Sequence, residues 1–197
     1  MNLPNQLSLL RIVLTPVFIF LLIFDDQTVK ILSFVVFCIA SLTDYYDGMI
    51  ARKYGYVTTW GQFLDPLADK FLVLSGLTLF SIWKYLPFWT VIVIFIRDSL
   101  LTLVRWMAIQ KKCPVKTNYF AKIKTVSQLA LLISVFLFHL ATWDKSLNEY
   151  PVYLQKAVQL HVFILGAYFV TFMTVMSGLI YWIHNREKIA GFFAAKS

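Results

Sequence analysis

Apolar residues do not alternate with polar ones along this chain. They gather in six long runs, at 7–24, 29–50, 64–83, 88–108, 120–143 and 156–184. Each run is roughly 20 residues, the length at which a helix crosses the hydrocarbon core of a bilayer. The intervening segments are short and polar, with no repeat, no low-complexity tract and no linker long enough to separate domains. The pattern predicts an all-α integral membrane protein: one domain, 1–197, built as a bundle of six transmembrane helices. The last run is longer than a bilayer needs, which predicts tilt or a projecting end. The first run carries Arg11 and lacks a small-residue cleavage pattern, so it reads as a retained span, not a removed signal.

Composition sharpens this picture. Of the 197 residues, 59% are hydrophobic and 14% charged, against about 25% charged in a soluble domain. A water-soluble enzyme is excluded on that ground. Two cysteines, Cys38 in an apolar run and Cys113 in a basic loop, are too few for a disulfide framework. The net charge of +8 does not point to nucleic acid, because the basic residues sit in the short segments between runs. Membrane orientation and attraction for anionic headgroups or substrates explain it better. With the N-terminus inside, the cytoplasmic side collects Arg11, Arg52, Lys53, Arg105, Lys111, Lys112, Lys116, Lys122, Lys124, Arg186, Lys188 and Lys196. The other side holds Lys30, Lys84, Lys145 and Lys156. Twelve against four predicts a multi-pass protein of the inner membrane with both termini cytoplasmic.

The chemistry shows where polar residues interrupt the runs. Four of the ten acidic residues, Asp44, Asp47, Asp65 and Asp69, fall within one short window. Asp44 and Asp47 are spaced i,i+3 and Asp65 and Asp69 i,i+4, so each pair occupies one face of a helix. Consecutive spans run antiparallel, which brings both pairs to the same end. Four carboxylates at the hydrocarbon edge repel one another unless a cation sits among them, and hard divalent ions with oxygen ligands, Mg²⁺ or Mn²⁺, suit them. The plain alternative is four water-facing residues at helix ends. Gly48, Ala51 and Gly61 leave room for close approach, and Arg52 offers a planar fork for phosphate. Pro66 predicts that the third helix starts or bends there.

Asp44-x-x-Asp47-Gly48-x-x-Ala51-Arg52, eight further residues, then Gly61-x-x-x-Asp65-x-x-x-Asp69 resembles in full the signature of the CDP-alcohol phosphotransferases. The resemblance implies a six-helix fold with a cytoplasm-facing site for two Mg²⁺ or Mn²⁺ ions, and transfer of a phosphoalcohol unit from a CDP-linked donor to an acceptor hydroxyl with release of CMP. It implies that Asp44, Asp47 and Asp65 are metal ligands, with Asp44 and Asp65 bridging. Asp69 is implied to be a ligand that also serves as general base. Gly48, Ala51, Arg52, Thr58 and Gly61, with Asn5 and Ser8 near the amino terminus, are implied to hold CDP-diacylglycerol. A homodimer is implied as well.

The opening Asn2-Leu3-Pro4-Asn5-Gln6-Leu7-Ser8-Leu9-Leu10-Arg11, the stretch from Phe63 to Lys70, Arg97 with Arg105, and Lys122-Ile123-Lys124-Thr125 followed by Gln128 are similar to the branch of that family using sn-glycerol 3-phosphate as acceptor. Arg97, Arg105, Lys122 and Lys124 are the expected acceptor site. Cations beside the metal site suit an acceptor carrying its own phosphate. The competing readings are that Arg97 pairs with Asp98, and that Arg105 and Lys124 snorkel to the interface. One departure is Arg97-Asp98, where that branch commonly has Arg-Glu. A cardiolipin synthase acting on phosphatidylglycerol is the rival within the family. A small cation channel is the rival outside it, although no acidic residue marks the outer half of the second or third run. His139, His161 and His184 lack ligand spacing and read as packing or interface residues. Trp60, Trp83, Trp89, Trp106, Trp143 and Trp182 lie near run ends, as an interfacial belt requires. The tail, 185–197, reads as a short amphipathic piece on the membrane surface.

Overall fold

The computed structural model describes residues 3–54, 59–110, 119–143 and 159–194, with side chains at 9–43, 68, 70–108, 110, 119–142 and 161–186. They form six long helices: α1 Leu3–Ile23, α2 Gln27–Tyr54, α3 Thr59–Ile82, α4 Phe88–Gln110, α5 Tyr119–Trp143 and α6 Ile164–Ala194. A single π-helical turn, Gln159–Phe163, leads into α6. No strand occurs among the described residues. Over its described residues each apolar run falls on one long helix, to within a residue or two and a leading turn, and the helices outrun the runs, α1 already beginning at Leu3. α2 continues to Tyr54, α3 already begins at Thr59, so Pro66 does not start it, and α6 continues to Ala194. The segment from 185 to 194 thus prolongs the last helix and is not a separate surface piece.

Local chemistry explains the turns. Asp26 accepts the Val29 backbone N–H at 3.0 Å and caps α2, so α1 and α2 form a tight antiparallel hairpin across 24–26. At the end of α3, Tyr85 N–H donates to the Phe80 carbonyl (2.9 Å) and Lys84 N–H to that of Ser81 (3.0 Å). This pairing is a Schellman cap. Its left-handed position is held by Lys84, at φ 65°, where glycine is the usual occupant. Pro87 then prevents the helix from continuing.

α1 packs against both α2 and α3, α5 joins them on one side and carries α6, and α4 bridges α3 to α6. The four helices α1, α2, α3 and α5 meet at a knot of fully buried phenylalanines. The Phe136 ring lies 5.9 Å from Phe18, 6.0 Å from Phe37 and 5.4 Å from Phe80 between centroids. Two glycines permit close helix approach. A Cβ on Gly76 would meet Leu132 at 3.0 Å and one on Gly166 would meet Leu131 at 2.9 Å, the small-residue packing typical of membrane helices.

The polarity of the bundle is that of a membrane protein. Val13, Phe20, Ile92, Phe95, Leu165 and Ile183 face outward, while Arg11, Lys30, Asp98, Lys124, Gln128 and Thr174 are buried. Such a continuous apolar exterior does not belong in water. Tyr119–Thr142 and His161–Arg186 are each long and apolar enough to cross a bilayer, and shorter apolar stretches occupy 9–23, 27–43 and 70–82. In α4 the apolar sequence is interrupted by Arg97, Asp98 and Arg105.

Candidate active site

The eight residues of the aspartate signature are carried on two helices. Asp44, Asp47, Gly48, Ala51 and Arg52 lie in the carboxyl-terminal half of α2, and Gly61, Asp65 and Asp69 in the amino-terminal half of α3. Their side chains, with those of Asn5 and Ser8 in α1, lie outside the described residues, as does Thr58 altogether. The helical backbone fixes the spacing that matters: one turn between the members of each pair, hence one face per pair. α2 and α3 are in contact and only 55–58 separate them, so both pairs belong to the same end of the bundle. A donor set made only of carboxylates on two adjoining helices fits hard divalent cations. Among the side chains described elsewhere, no cluster of metal-ligating residues occurs.

Beside this end lies a second polar centre, organised by Asp98 of α4. Its Oδ1 accepts from Arg97 Nη1 at 2.8 Å and its Oδ2 from Lys124 Nζ at 2.5 Å. Its backbone carbonyl accepts from Lys70 Nζ and from the Thr102 hydroxyl. Arg97 also donates through Nη2 to Ser177 Oγ at 2.6 Å, and Ser177 donates to the Thr174 carbonyl. Gly178 lies against this arginine, at a distance where an added Cβ would be in ordinary contact with Arg97 Cγ and Nε (3.4 Å). Asp98, through its carboxylate and its backbone carbonyl, and its neighbour Arg97 therefore link four helices, with Lys70 of α3, Lys124 of α5 and Ser177 of α6 meeting on α4.

The charge balance of that centre is uneven. Lys70, Arg97 and Lys124 supply three positive charges and Asp98 one negative charge. Lys124 and Asp98 are both buried, where unbalanced charge is strongly disfavoured. An excess of cations in a dry site draws an anion. Lys70 follows Asp69 directly on α3, which joins this cationic centre to the signature.

Of the four expected acceptor-site residues, Arg97 and Lys124 meet on Asp98. The pair anticipated in the competing reading, Arg97 with Asp98, is present. Arg105 is exposed two turns further along α4, its guanidinium carbon 5.7 Å from the Tyr181 ring centroid. Lys122 is exposed and points away from the buried Lys124, since two residues along a helix span more than half a turn. Lys70 and Ser177 were not expected at this centre. A cation inside an apolar run was the available signal for Lys70; Ser177, one hydroxyl in an apolar helix, offered none. His139 has a packing role, stacked on Trp83 at 4.7 Å with Nδ1 2.9 Å from the Tyr85 hydroxyl.

Comparison with known proteins identifies the family. The chain matches the model of the family described as CDP-alcohol phosphatidyltransferase over residues 1–183. It is 34% identical to the CDP-diacylglycerol–glycerol-3-phosphate 3-phosphatidyltransferase of Bacillus subtilis (strain 168), over 95% of this chain and 97% of that protein. It is 31% identical to a probable phosphatidylglycerophosphate synthase of Mycobacterium tuberculosis, over 96% of this chain and 84% of the relative. A transferase of Salmonella paratyphi A, with the same name as the Bacillus protein, is 36% identical over 66% of this chain and 74% of its own length. With its signature on adjoining helices and a family match spanning nearly its whole length, the chain belongs to the CDP-alcohol phosphatidyltransferase family.

Proposed function

We propose that the protein is a phosphatidylglycerophosphate synthase, transferring the phosphatidyl group of CDP-diacylglycerol to sn-glycerol 3-phosphate and releasing CMP. The names of its relatives support the reaction. The acceptor rests on one observation, the centre beside the signature at which Arg97 and Lys124 converge on the Asp98 carboxylate and Lys70 on its backbone carbonyl. An acceptor with its own phosphate supplies the missing negative charge, whereas an uncharged alcohol does not. The alternative acceptor within the family, phosphatidylglycerol, carries its phosphate as a diester of lower charge.

Asp44, Asp47, Asp65 and Asp69 would hold two Mg²⁺ or Mn²⁺ ions, which when bound neutralise the donor pyrophosphate and polarise the phosphorus under attack. Asp69 takes the proton of the acceptor hydroxyl as its oxygen attacks the phosphorus on the diacylglycerol side. The bond from that phosphorus to the oxygen bridging to CMP breaks, and CMP leaves with the electron pair. No covalent enzyme intermediate forms. Gly48, Ala51 and Gly61 admit the nucleotide to the backbone, and Arg52, Thr58, Asn5 and Ser8 hold CDP-diacylglycerol. Arg97 and Lys124 bind the acceptor phosphate deep in the site, with Arg105 nearer its mouth, while Lys122, facing away from Lys124, stays outside it. In this reading all six helices span the inner membrane, both termini and the aspartates are cytoplasmic, and the enzyme is a homodimer.

The test is an acceptor panel. Purified protein with CDP-diacylglycerol and Mn²⁺ is given sn-glycerol 3-phosphate, phosphatidylglycerol or serine, and CMP release is measured. Product with sn-glycerol 3-phosphate is expected. Product with phosphatidylglycerol alone makes the protein a cardiolipin synthase, and ion flux without CMP release makes it a channel.

A further inference from the structure

Arg11 of α1 is completely buried. A guanidinium removed from water must face an anion, because an uncompensated charge there would cost several kcal/mol. The chain has ten acidic residues, and most are elsewhere. Asp25 and Asp26 close the opposite end of α1, where Asp26 caps α2. Both Asp98 oxygens accept from Arg97 and Lys124. Asp144 and Glu149 follow the far end of α5 in the sequence, and Glu187 is on α6, which packs on α4 and α5. The four signature aspartates remain.

The register of the helices leads to the same four. Ser33 Oγ donates to the Phe18 carbonyl at 3.1 Å, so Phe18 of α1 and Ser33 of antiparallel α2 share a level. Seven residues back along α1 lies Arg11, and seven onward along α2 lies Ala40. On the other side, Phe18 and Phe80 of α3 pack on the same ring, Phe136, which sets Arg11 level with about residue 73. Side chains on a helix lean toward its N-terminus, and one turn of lean (about 5.4 Å) carries the guanidinium to the levels of Asp44 and Asp69. α1 packs on both helices that carry them.

We propose that Arg11 is the built-in counter-charge of the aspartate cluster, a positioning residue that holds the carboxylates together in the metal-free protein and is relieved of that role when divalent ions enter. The proposal rests on the aspartates being metal ligands. Arg11 then competes electrostatically with the ions, and linkage makes the effect reciprocal: removing its charge destabilises the metal-free protein and tightens metal binding.

The experiment is a thermal-shift titration of purified protein with Mn²⁺, without donor, for the wild type, R11M and R11K. R11M is expected to lower Tm in EDTA by roughly 10 °C and by less than half of that in saturating Mn²⁺. Its half-saturating Mn²⁺ concentration should fall about tenfold, while R11K, which keeps the charge, stays near the wild type. Equal losses of Tm with and without Mn²⁺ at unchanged Mn²⁺ affinity would show a packing residue and overturn the proposal. So would a raised KM for CDP-diacylglycerol at unchanged Mn²⁺ response, which would show a donor contact. If R11M yields no folded protein, recovery by the second substitution D69N supports the proposal and continued failure overturns it. A wild type that shows no Mn²⁺ shift sinks the metal reading instead, while the R11M/D69N double-mutant cycle in EDTA still reads the pairing of Arg11 with Asp69.

Discussion

At the scale of single residues, burial separates side chains that the sequence places together. Lys122 and Lys124 are two positions apart in one basic cluster, yet Lys124 is buried on Asp98 and Lys122 is exposed. K124A should raise KM for sn-glycerol 3-phosphate by about 10- to 100-fold, the worth of one charge-assisted hydrogen bond. KM for CDP-diacylglycerol should hardly move, and K122A should change either KM by less than threefold; steady-state kinetics on the two variants decides it. D69N should abolish turnover while CDP-diacylglycerol binding persists, as checked by CMP release beside equilibrium binding. Substantial remaining activity would remove Asp69 as the base. The signature aspartates stand out in the sequence because charge is rare in an apolar run, and the helices that carry them turn their spacing into one face per pair. The hub at Asp98 was only half legible. Its neighbour Arg97 is adjacent in sequence, but Lys70, Lys124 and Ser177 reach it from three other helices, and sequence spacing holds no information on which helices adjoin.

At the scale of elements, the six apolar runs foretold six helices because an apolar stretch of membrane-spanning length has no other way to satisfy its backbone. Their ends were harder to read. Hydropathy falls where a helix leaves hydrocarbon, not where its hydrogen bonding stops. The polar extensions of α2 to Tyr54 and of α3 back to Thr59 were therefore invisible to the pattern, although they carry Ala51, Arg52 and Gly61 of the signature. The turn between α3 and α4 fell between the runs ending at 83 and starting at 88, but its type was hidden, since its left-handed position holds Lys84 and not glycine. A lysine there is strained by about 1 kcal/mol. K84G should accordingly stabilise the protein by up to about 1 kcal/mol, raising Tm by roughly 2–4 °C, and K84V should lower it because a β-branched residue tolerates that backbone least. A melting curve of each purified variant in detergent checks both signs.

At the scale of the whole molecule, helix lengths suggest where the reaction can take place. With about 1.5 Å per residue, the 28 residues of α2 reach about 42 Å, beyond a hydrocarbon core of about 30 Å. In the proposed reading, in which α2 spans the bilayer, about 20 residues counted from Gln27 would cross that core and set Asp44 and Asp47 at its far boundary. There a diacylglycerol donor anchored in the leaflet and a water-soluble acceptor can both arrive. α5 gives an independent mark of the same boundary. Its first residues, Tyr119 and Phe120, are exposed aromatics of the kind that settle at headgroup level, and Lys124 on Asp98 lies only five residues further in. In the orientation proposed above, from the twelve-to-four distribution of Lys and Arg, that boundary is the cytoplasmic one and the turn bearing Lys84 is on the opposite side. Two single-cysteine proteins test this orientation in sealed right-side-out vesicles treated with a membrane-impermeant maleimide. One keeps only Cys113, in the basic segment after α4; the other carries K84C with Cys38 and Cys113 replaced by serine. K84C should label in intact vesicles, and Cys113 only after the membrane is opened. The reverse pattern would place the aspartates on the outer face, away from any cytoplasmic supply of nucleotide-activated lipid.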